Sequence, residues 1–273
     1  MDNEIVRINE GVRVIPVRTP TLPPATHTNV WLLGDHHVTV IDPASPYPEE
    51  QDRLDDLLEM VMVERIVLTH HHPDHVGGAA DLRARTGTRI AAHRLTAERV
   101  DFEVDDIIEH GDVVATDAGM WTAIHTPGHA PGHLCFYNPG LGLVAGDMVA
   151  GIGTILLDPP EGVLAQYLDS LQTLLDLEPT QLFPAHGPHI EDGPACLQHY
   201  ITHRNARTEQ IVRALVEQGS SSPVELVATV YQGEIPEAYH PIAARQILCH
   251  LQWLESHNQV LSDGERFTLR AQH

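Results

Sequence analysis

The feature that most limits what this chain can fold into is a junction that recurs along it. At each junction a short apolar run, typical of a strand, ends beside a histidine or an aspartate. Residues 66–69 form such a run and lead directly into His-His-His-Pro-Asp-His at positions 70–75. Later runs reach His129, Asp147 and His186, each directly after a Gly or Ala. This repeated order of strand, small residue, polar side chain and loop predicts a protein built on short strands.

Strand-like and helical patterns alternate up to about residue 190. Apolar residues recur at every second position in segments 11–17 and 29–41, which predicts strands. Apolar residues share one side of residues 49–62 and of residues 163–177, which predicts two amphipathic helices. Alternating elements with many short strands are typical of the α/β class, with layered sheets flanked by helices.

The pattern changes after residue 193. Helices are predicted over residues 195–218, 222–231 and 236–257. Two apolar runs on either side of Asp263-Gly264 predict a terminal hairpin. Three helices followed by a hairpin give a winged-helix outline. We therefore divide the chain into a catalytic domain, residues 1–193, and a winged-helix-like C-terminal domain, residues 194–273.

The charge of the C-terminal part argues against DNA recognition. From residue 195 onward there are six Arg and eight acidic residues, and the third helix offers only Arg245 against Glu237 and Glu255. A helix that reads a DNA groove needs clustered Arg or Lys. DNA binding by this part is therefore disfavoured, and we expect it to serve packing, dimerisation or substrate gating. A homo-oligomer is compatible with the sequence.

The composition excludes several other classes. The net charge is −22, from 38 acidic residues against 16 basic ones, and every basic residue is Arg. Such a charge disfavours a broad nucleic-acid-binding surface, and the lack of Lys excludes Schiff-base and P-loop chemistry. Cys135, Cys196 and Cys249 are widely spaced and odd in number, which indicates reduced thiols. Neither a signal-peptide core nor a membrane-spanning run is evident, so we expect a cytoplasmic protein without membrane contact.

The side chains at the junctions are metal donors. Neutral imidazole and carboxylate groups suit Zn²⁺, and also Fe or Mn. On extended backbone His70 and His72 project to the same side and can hold one ion. After the turn, Asp74 and His75 can face a second position about 3.5–4 Å away, and Asp147 can bridge the two. Four such side chains within six residues are hard to explain as structural residues alone.

These motifs resemble those of the metallo-β-lactamase superfamily. Residues 70–75, the Thr-Pro-Gly-His turn at 126–129, the Gly-Asp pair at 146–147 and the Pro-Ala-His-Gly segment at 184–187 occur in that family's order. The resemblance covers about residues 10–190 and implies an αββα sandwich with two metal ions, most simply Zn²⁺, in a cleft at one edge. It further implies that His70, His72 and His129 hold one ion, that Asp74, His75 and His186 hold the second, and that Asp147 bridges both.

Two ions in such a site give the chemistry of a hydrolase. A bridging water has its pKa lowered to about 7, so hydroxide is available at neutral pH. Asp74 is the candidate catalytic residue, because a carboxylate there can orient that hydroxide and accept its proton. The resemblance leaves His133 outside the ligand set, where we expect it to orient a ligand or a substrate. Cys135 lies in an apolar strand, and we expect it in the core.

The C-terminal part narrows the substrate. Residues 200–211 and 250–255 resemble the winged-helix appendage of the beta-lactamase-like protein 2 family, which implies either acyl-thioester hydrolysis or cleavage of single-stranded RNA. The first 194 residues carry ten Arg against thirty acidic residues, which disfavours long RNA. We therefore favour a small-molecule substrate, an acyl ester or thioester. A metal-dependent endoribonuclease stays open, and so does a mononuclear iron dioxygenase of the same fold, in which His75 and His186 would hold no metal.

Overall fold

A computed structural model describes residues 5–233 and 235–271 and contains two facing β-sheets. The first sheet has seven strands in chain order. Its first four strands are antiparallel neighbours, whereas β4 to β7 run parallel. The strands are β1 (Val6–Asn9), β2 (Val12–Arg18), β3 (His27–Leu33), β4 (His37–Ile41), β5 (Met62–Val67), β6 (Ile90–Ala92) and β7 (Asp106–Ile107).

The second sheet has five strands. They lie in the order β12-β11-β10-β9-β8, and only the β11–β12 pair is parallel. The strands are β8 (Val113–Thr116), β9 (Gly119–His125), β10 (Leu134–Asn138), β11 (Gly142–Gly146) and β12 (Leu182–Pro184).

Helices cover the outer face of each sheet. Helices α1 (Pro48–Leu58) and α3 (Ala79–Thr86) share a core with the first sheet, and α5 (Leu164–Asp176) shares one with the second. Between the sheets, side chains such as Trp31 from β3 and Trp121 from β9 form the central core. Three stacked cores make an αββα sandwich, as the resemblance implies. Two single-turn helices, α2 (Pro73–Val76) and α4 (Arg94–Ala97), complete this part.

The C-terminal part has the winged-helix outline that the sequence predicts. Ser222 caps its second helix with a capping box, and one 3₁₀ turn, Glu237–Tyr239, precedes its third. Its first helix is long enough that Leu197 packs with α5 while Ile211 packs in the C-terminal core. The elements are α6 (Gly193–Gln218), α7 (Pro223–Tyr231), α8 (His240–Ser256), β13 (Val260–Ser262) and β14 (Phe267–Leu269). The domain boundary at residues 193/194 stays a prediction.

Most of the predicted elements are found, but the helix over residues 49–62 is too long. Helix α1 ends at Leu58, and β5 begins at Met62. Val61 extends the apolar helical face in sequence, yet the following residues pair in parallel with β4, and that pairing defines the element. The short edge strands β1 and β7 carry too few residues for a periodic signal. None of the helices in the described part combines the length and hydropathy required to cross a bilayer.

Candidate metal centre

The segment that follows β5 brings four candidate ligands to one sheet end. His72 has extended backbone dihedrals, and Pro73 then opens α2, so the chain turns directly after the first two ligands. Two glycines allow this turn to pack against the loop after β4. A Cβ atom at Gly78 would lie 2.4 Å from the Pro43 carbonyl oxygen, and one at Gly77 would lie 2.7 Å from that of Ala44. Small residues after the motif are therefore a packing requirement.

Three histidines converge at this sheet end. The Nδ1 atom of His72 lies 3.0 Å from Nε2 of His70 and 2.9 Å from Nε2 of His129. The two Nε2 atoms are 3.3 Å apart. Nitrogen ligands about 2.0–2.1 Å from a tetrahedral ion lie about 3.3 Å from each other. The triangle of ring nitrogens thus has nearly the dimensions of three ligands to one ion.

A second group of donors lies beside the first, with Asp147 between them. Asp74, His75 and His186 bring one donor atom each within 4.8 Å of one another. One oxygen of Asp147, Oδ1, lies 3.6 Å from Nε2 of His75 and 3.4 Å from Nε2 of His186. The other, Oδ2, lies 3.3 Å from Nε2 of His129. The structure therefore brings all seven predicted side chains together, and Asp147 faces both groups.

The outward nitrogens of these rings are already engaged. Asp42, which is buried at the end of β4, accepts a hydrogen bond from Nδ1 of His75 at 2.8 Å. The Thr69 hydroxyl donates to Asp42 and so accepts from Nδ1 of His70 at 3.0 Å. A ring that donates through Nδ1 carries its lone pair on Nε2. These hydrogen bonds therefore fix the tautomer in which the inward nitrogen can bind a cation.

Backbone carbonyl groups hold two further rings in the same way. Nδ1 of His129 donates to the Leu156 carbonyl at 2.9 Å, and Nδ1 of His186 donates to the His27 carbonyl at 3.1 Å. Within the described residues, Nε2 of His75 and Oδ1 of Asp147 are buried without a hydrogen-bond partner. Such orphaned lone pairs are costly unless something electrophilic lies between them. The donor set accordingly fits a divalent metal.

The electrostatics of the cluster agree with this fit. Burial, and next the ring of His129, lowers the pKa of His72 to about 2. Burial alone would also lower the pKa of His75, but the carboxylates of Asp147 and Asp42 raise it well above its usual value. Burial would raise the pKa of Asp147, but His186 and His75 lower it well below its usual range. His72 is therefore neutral, whereas His75 carries a proton beside the ionised Asp147. A cation that binds between them would displace that proton.

Two residues outside the ligand set, His133 and Asp42, hold parts of the metal cluster in position. His133 is buried, and its Nε2 accepts the backbone N–H of Asp147 at 3.0 Å, so it holds the backbone of a candidate ligand. A Cβ atom at position 146 would lie 2.5 Å from that Nε2, and Gly146 has φ +50°. Sequence reasoning gave no role to Asp42. The available signal was an aspartate at the end of a buried strand, here with φ 51°.

Glu161 is a further residue that sequence reasoning missed. Its carboxylate lies 3.1 Å from Nε2 of His71 and 3.8 Å from Nε2 of His72. It also accepts a hydrogen bond from Arg99 at 3.2 Å. His71 and Glu161 thus lie on the outer side of His72, away from the inward Nδ1 atom. No local pattern marks a lone glutamate in a loop, so this contact has no sequence signal.

A cavity of about 550 Å³ opens onto the cluster, and five of the seven side chains form part of its lining. Its volume is typical of a small-molecule site. The thiol of Cys135 is buried beside Thr126, and burial raises its pKa to about 12. Cys135 is therefore a core residue, as its apolar strand indicates. The reactive part of the site consists of histidines and carboxylates.

Sequence comparison identifies the family that carries this constellation. Residues 23–186 match the family described as the metallo-beta-lactamase superfamily, and this segment is more than half of the chain. The chain belongs to that superfamily of hydrolases. Residues 222–268 match the beta-lactamase associated winged helix domain, which confirms the winged-helix outline. Both parts of the resemblance seen in the sequence are thus confirmed.

Two curated relatives illustrate the similarity. The chain is 30% identical to the beta-lactamase-like protein 2 homolog of Drosophila melanogaster over 94% of its own length and 91% of that protein. It is 32% identical to the lactamase-like protein nscB of Trichophyton rubrum over 78% of its length and 65% of that protein. The similarity to the first relative covers the metallo-beta-lactamase and winged-helix parts together.

Solved structures confirm the fold. A metallo-beta-lactamase family protein from Thermus thermophilus superposes with a TM-score of 0.80 at 24% identity, over 95% of this chain and 99% of that chain. A beta-lactamase domain protein from Burkholderia ambifaria superposes with a TM-score of 0.85 at 20% identity, over 98% of this chain and 94% of that chain. A protein solved in a di-iron-bound form superposes with a TM-score of 0.55 at 28% identity, over 66% of this chain and 96% of that chain.

Proposed function

We propose that this metallo-beta-lactamase superfamily hydrolase binds two metal ions, with Zn²⁺ favoured, and cleaves a small acyl ester or thioester. The observation that carries the proposal is the convergence of seven donor side chains, with their lone pairs directed inward, at the base of a cavity of small-molecule size. The superfamily comprises hydrolases, and the His and Asp donors suit zinc chemistry.

Each part of the cluster receives a role. His70, His72 and His129 would hold one ion, Asp74, His75 and His186 the other, and Asp147 would contact both. When bound, the ions would supply a Lewis acid and a hydroxide at neutral pH. Asp74 lines the cavity and lies 3.6 Å from His186, so its carboxylate can accept a proton beside the scissile bond.

The cavity favours an acyl substrate over RNA. Among the described residues that line it, none is Arg, and the only carboxylates are those of Asp74 and Asp147. A phosphate backbone needs cationic contacts near the reaction centre. Arg245 lines a separate small cavity and is paired with Asp158. A neutral acyl group does not need such cationic contacts.

The first measurement is the metal content of protein purified without added metal, combined with a hydrolysis panel. The panel contains acyl thioesters, acyl esters, homoserine lactones, a chromogenic lactam and single-stranded RNA. We expect two metal ions per chain and hydrolysis of the acyl substrates. Asp74→Asn should lower kcat by about 10²–10⁴. Asp101→Asn, an exposed aspartate outside the site, should leave kcat unchanged.

Two outcomes would reject this function, and a third would reject the role of Asp74. One iron per chain with no hydrolysis would indicate the dioxygenase alternative, for which the di-iron neighbour shows that the fold accepts iron. Cleavage of RNA without acyl hydrolysis would indicate the endoribonuclease. Full activity in Asp74→Asn that retains its metal would show that the proton acceptor is another group.

A further inference from the structure

The large cavity is built by both parts of the chain. Loops of the metallo-beta-lactamase part contribute apolar side chains such as Leu22, Ile152 and Ile155. The opposite wall belongs to the C-terminal part. It includes Tyr231, Ile235, Tyr239, Ile242, Ala243 and Gln246.

We infer that this C-terminal wall selects the acyl group of the substrate, and that the group it selects is uncharged and apolar. The inference deepens the proposed hydrolase function and rests on it. It assigns binding of the substrate's acyl group to the winged-helix part, although winged-helix domains of other proteins are associated with nucleic acid. The residues that determine specificity are those of α8 and the turn before it, above all Tyr239, Ile242 and Ala243.

The chemistry of the lining supports an apolar occupant. Leu22 and Ile152 are 49% and 43% exposed, although large aliphatic side chains normally lie in the core. Both face the cavity together with Ile242. Apart from the carboxylates and rings of the metal cluster, no charged side chain of the described chain lines this space. An occupant without charge and with apolar surface matches these walls.

The small cavity on the other side of the cluster has the opposite character. It measures about 160 Å³ and shares His72, His129 and Leu156 with the large one. Its remaining lining includes Glu161 and Arg245, which are charged. The two spaces meet at the metal cluster, so polar and apolar parts of a substrate have separate environments. The apolar acyl part belongs in the large cavity.

Hydrogen bonds fix the C-terminal wall to the loop that follows Asp147. Gln246 of α8 accepts the backbone N–H of Leu157 at 2.9 Å. The buried Arg204 of α6 donates to the Ile155 carbonyl, and its guanidinium lies over the Tyr167 ring. This loop carries Leu156, whose carbonyl orients His129. The wall is therefore preformed in a defined position relative to the cluster.

The test uses binding of uncharged straight-chain amides, from acetamide to decanamide, measured by titration calorimetry on the metal-free full chain. For the wild type we expect the affinity to rise with chain length, by up to about fourfold per buried CH₂ group. Ile242→Trp should narrow the cavity and end this rise at shorter chains, whereas Ile242→Ala should extend it to longer chains. Gln252→Trp, at an exposed position on the same helix, is the matched control and should behave as wild type.

Hydrolysis of the matching acyl thioesters gives a second readout. In the metal-loaded enzyme, Ile242→Trp should reduce kcat/KM for decanoyl by about 10–100-fold through KM, and leave the acetyl substrate within about twofold. Affinity independent of chain length in the wild type, or the same length dependence in Ile242→Trp, would overturn the inference. Thermal unfolding verifies that each variant folds.

The two proposals fail in different ways. A wild type that binds amides with the expected length dependence but hydrolyses no acyl substrate would reject the proposed function and retain the apolar wall. A wild type that hydrolyses acyl substrates, with all chain lengths equally reduced by Ile242→Trp, would retain the function and reject the wall as a selector.

Discussion

At the residue scale, the cluster depends on groups that orient each ring as much as on the rings themselves. Asp42 is the clearest case, because its two oxygens receive the Thr69 N–H, the Thr69 hydroxyl and Nδ1 of His75. Its positive φ places the carboxylate below the cluster instead of along β4. One buried carboxylate therefore orients residues at both ends of the motif: Thr69, directly before it, and His75, at its end.

We expect Asp42→Asn to weaken metal binding without removing any proposed ligand. The amide can accept only with one atom, so His75 loses its charged acceptor and its orientation is no longer fixed. The affinity for the second ion should fall by about 10–100-fold. The affinity for the first ion should fall less, because Asp42 reaches His70 only through the Thr69 hydroxyl. Competition with a chromophoric chelator measures both steps. Asp52→Asn, exposed on α1, is the control, and an unchanged second affinity would show that Asp42 has only a structural role.

The ligand candidates could be predicted from sequence because each follows an apolar run and belongs to a dense or ordered motif. The orienting partners could not be predicted in this way. Two of them are the backbone carbonyl groups of His27 and Leu156, and a residue of any type has such a group. Glu161 reaches His71 across more than eighty positions. Such contacts result from the packing of the two sheets, which no local pattern records.

At the element scale, the β3–β4 turn shows how one exposed side chain can define a hairpin. The Asp117 carboxylate accepts the backbone N–H groups of Asp35, His36 and His37 at 2.7, 2.8 and 3.0 Å. A Cβ atom at Gly34 would lie 2.3 Å from the His37 carbonyl oxygen, so the turn also requires this glycine. The sequence predicts strands on both sides of the turn, but it does not indicate that a residue before β9 completes it.

This contact has a definite pH dependence. The N–H of His37, followed by those of Asp35 and His36, lowers the pKa of Asp117 to about 2. The pKa in the unfolded chain is about 3.9. The stabilisation is therefore fully present above about pH 5 and is lost as the pH falls through about 2.

We expect Asp117→Ala to lower the Tm by about 2–4 °C at pH 7, which corresponds to about 1 kcal/mol for an exposed charged acceptor. The difference in Tm between wild type and variant should shrink at pH 3 and vanish only below about pH 2. Calorimetry of the metal-free proteins excludes effects of ligand protonation on metal binding. Asp101→Ala is the control, and a difference in Tm that stays constant with pH would contradict the assignment.

At the scale of the whole molecule, the metal cluster connects the two sheets, and α6 connects the core beside α5 with the core of the C-terminal part. The ligand candidates come from the end of β5 in the first sheet and from the ends of β9, β11 and β12 in the second. Helix α6 has Leu197 in the core beside α5 and Ile211 in the core of the C-terminal part. Sequence composition indicates a change after residue 193, but it cannot show that one helix belongs to both cores.

Because of these links, metal removal should destabilise the entire chain. Each ion bound at about a thousandfold excess over its Kd contributes about 4 kcal/mol to the folded state. For a chain of this size that corresponds to about 8–16 °C in Tm per ion. We expect calorimetry to show one transition that shifts downward by at least this amount after chelation. The His70→Ala/His72→Ala double variant, which lacks two ligands of the first ion, should show a smaller shift.

The shape of the unfolding transition shows whether the two parts of the chain unfold together or independently. Shared packing along α6 requires the winged-helix part to unfold together with the metal site, so chelation should lower a single peak. Two peaks, of which only one responds to chelation, would show that α6 transmits no stability between the cores. In that case the wall formed by Tyr239, Ile242 and Ala243 would be free to separate from the metal cluster, and the cavity would lose its defined shape.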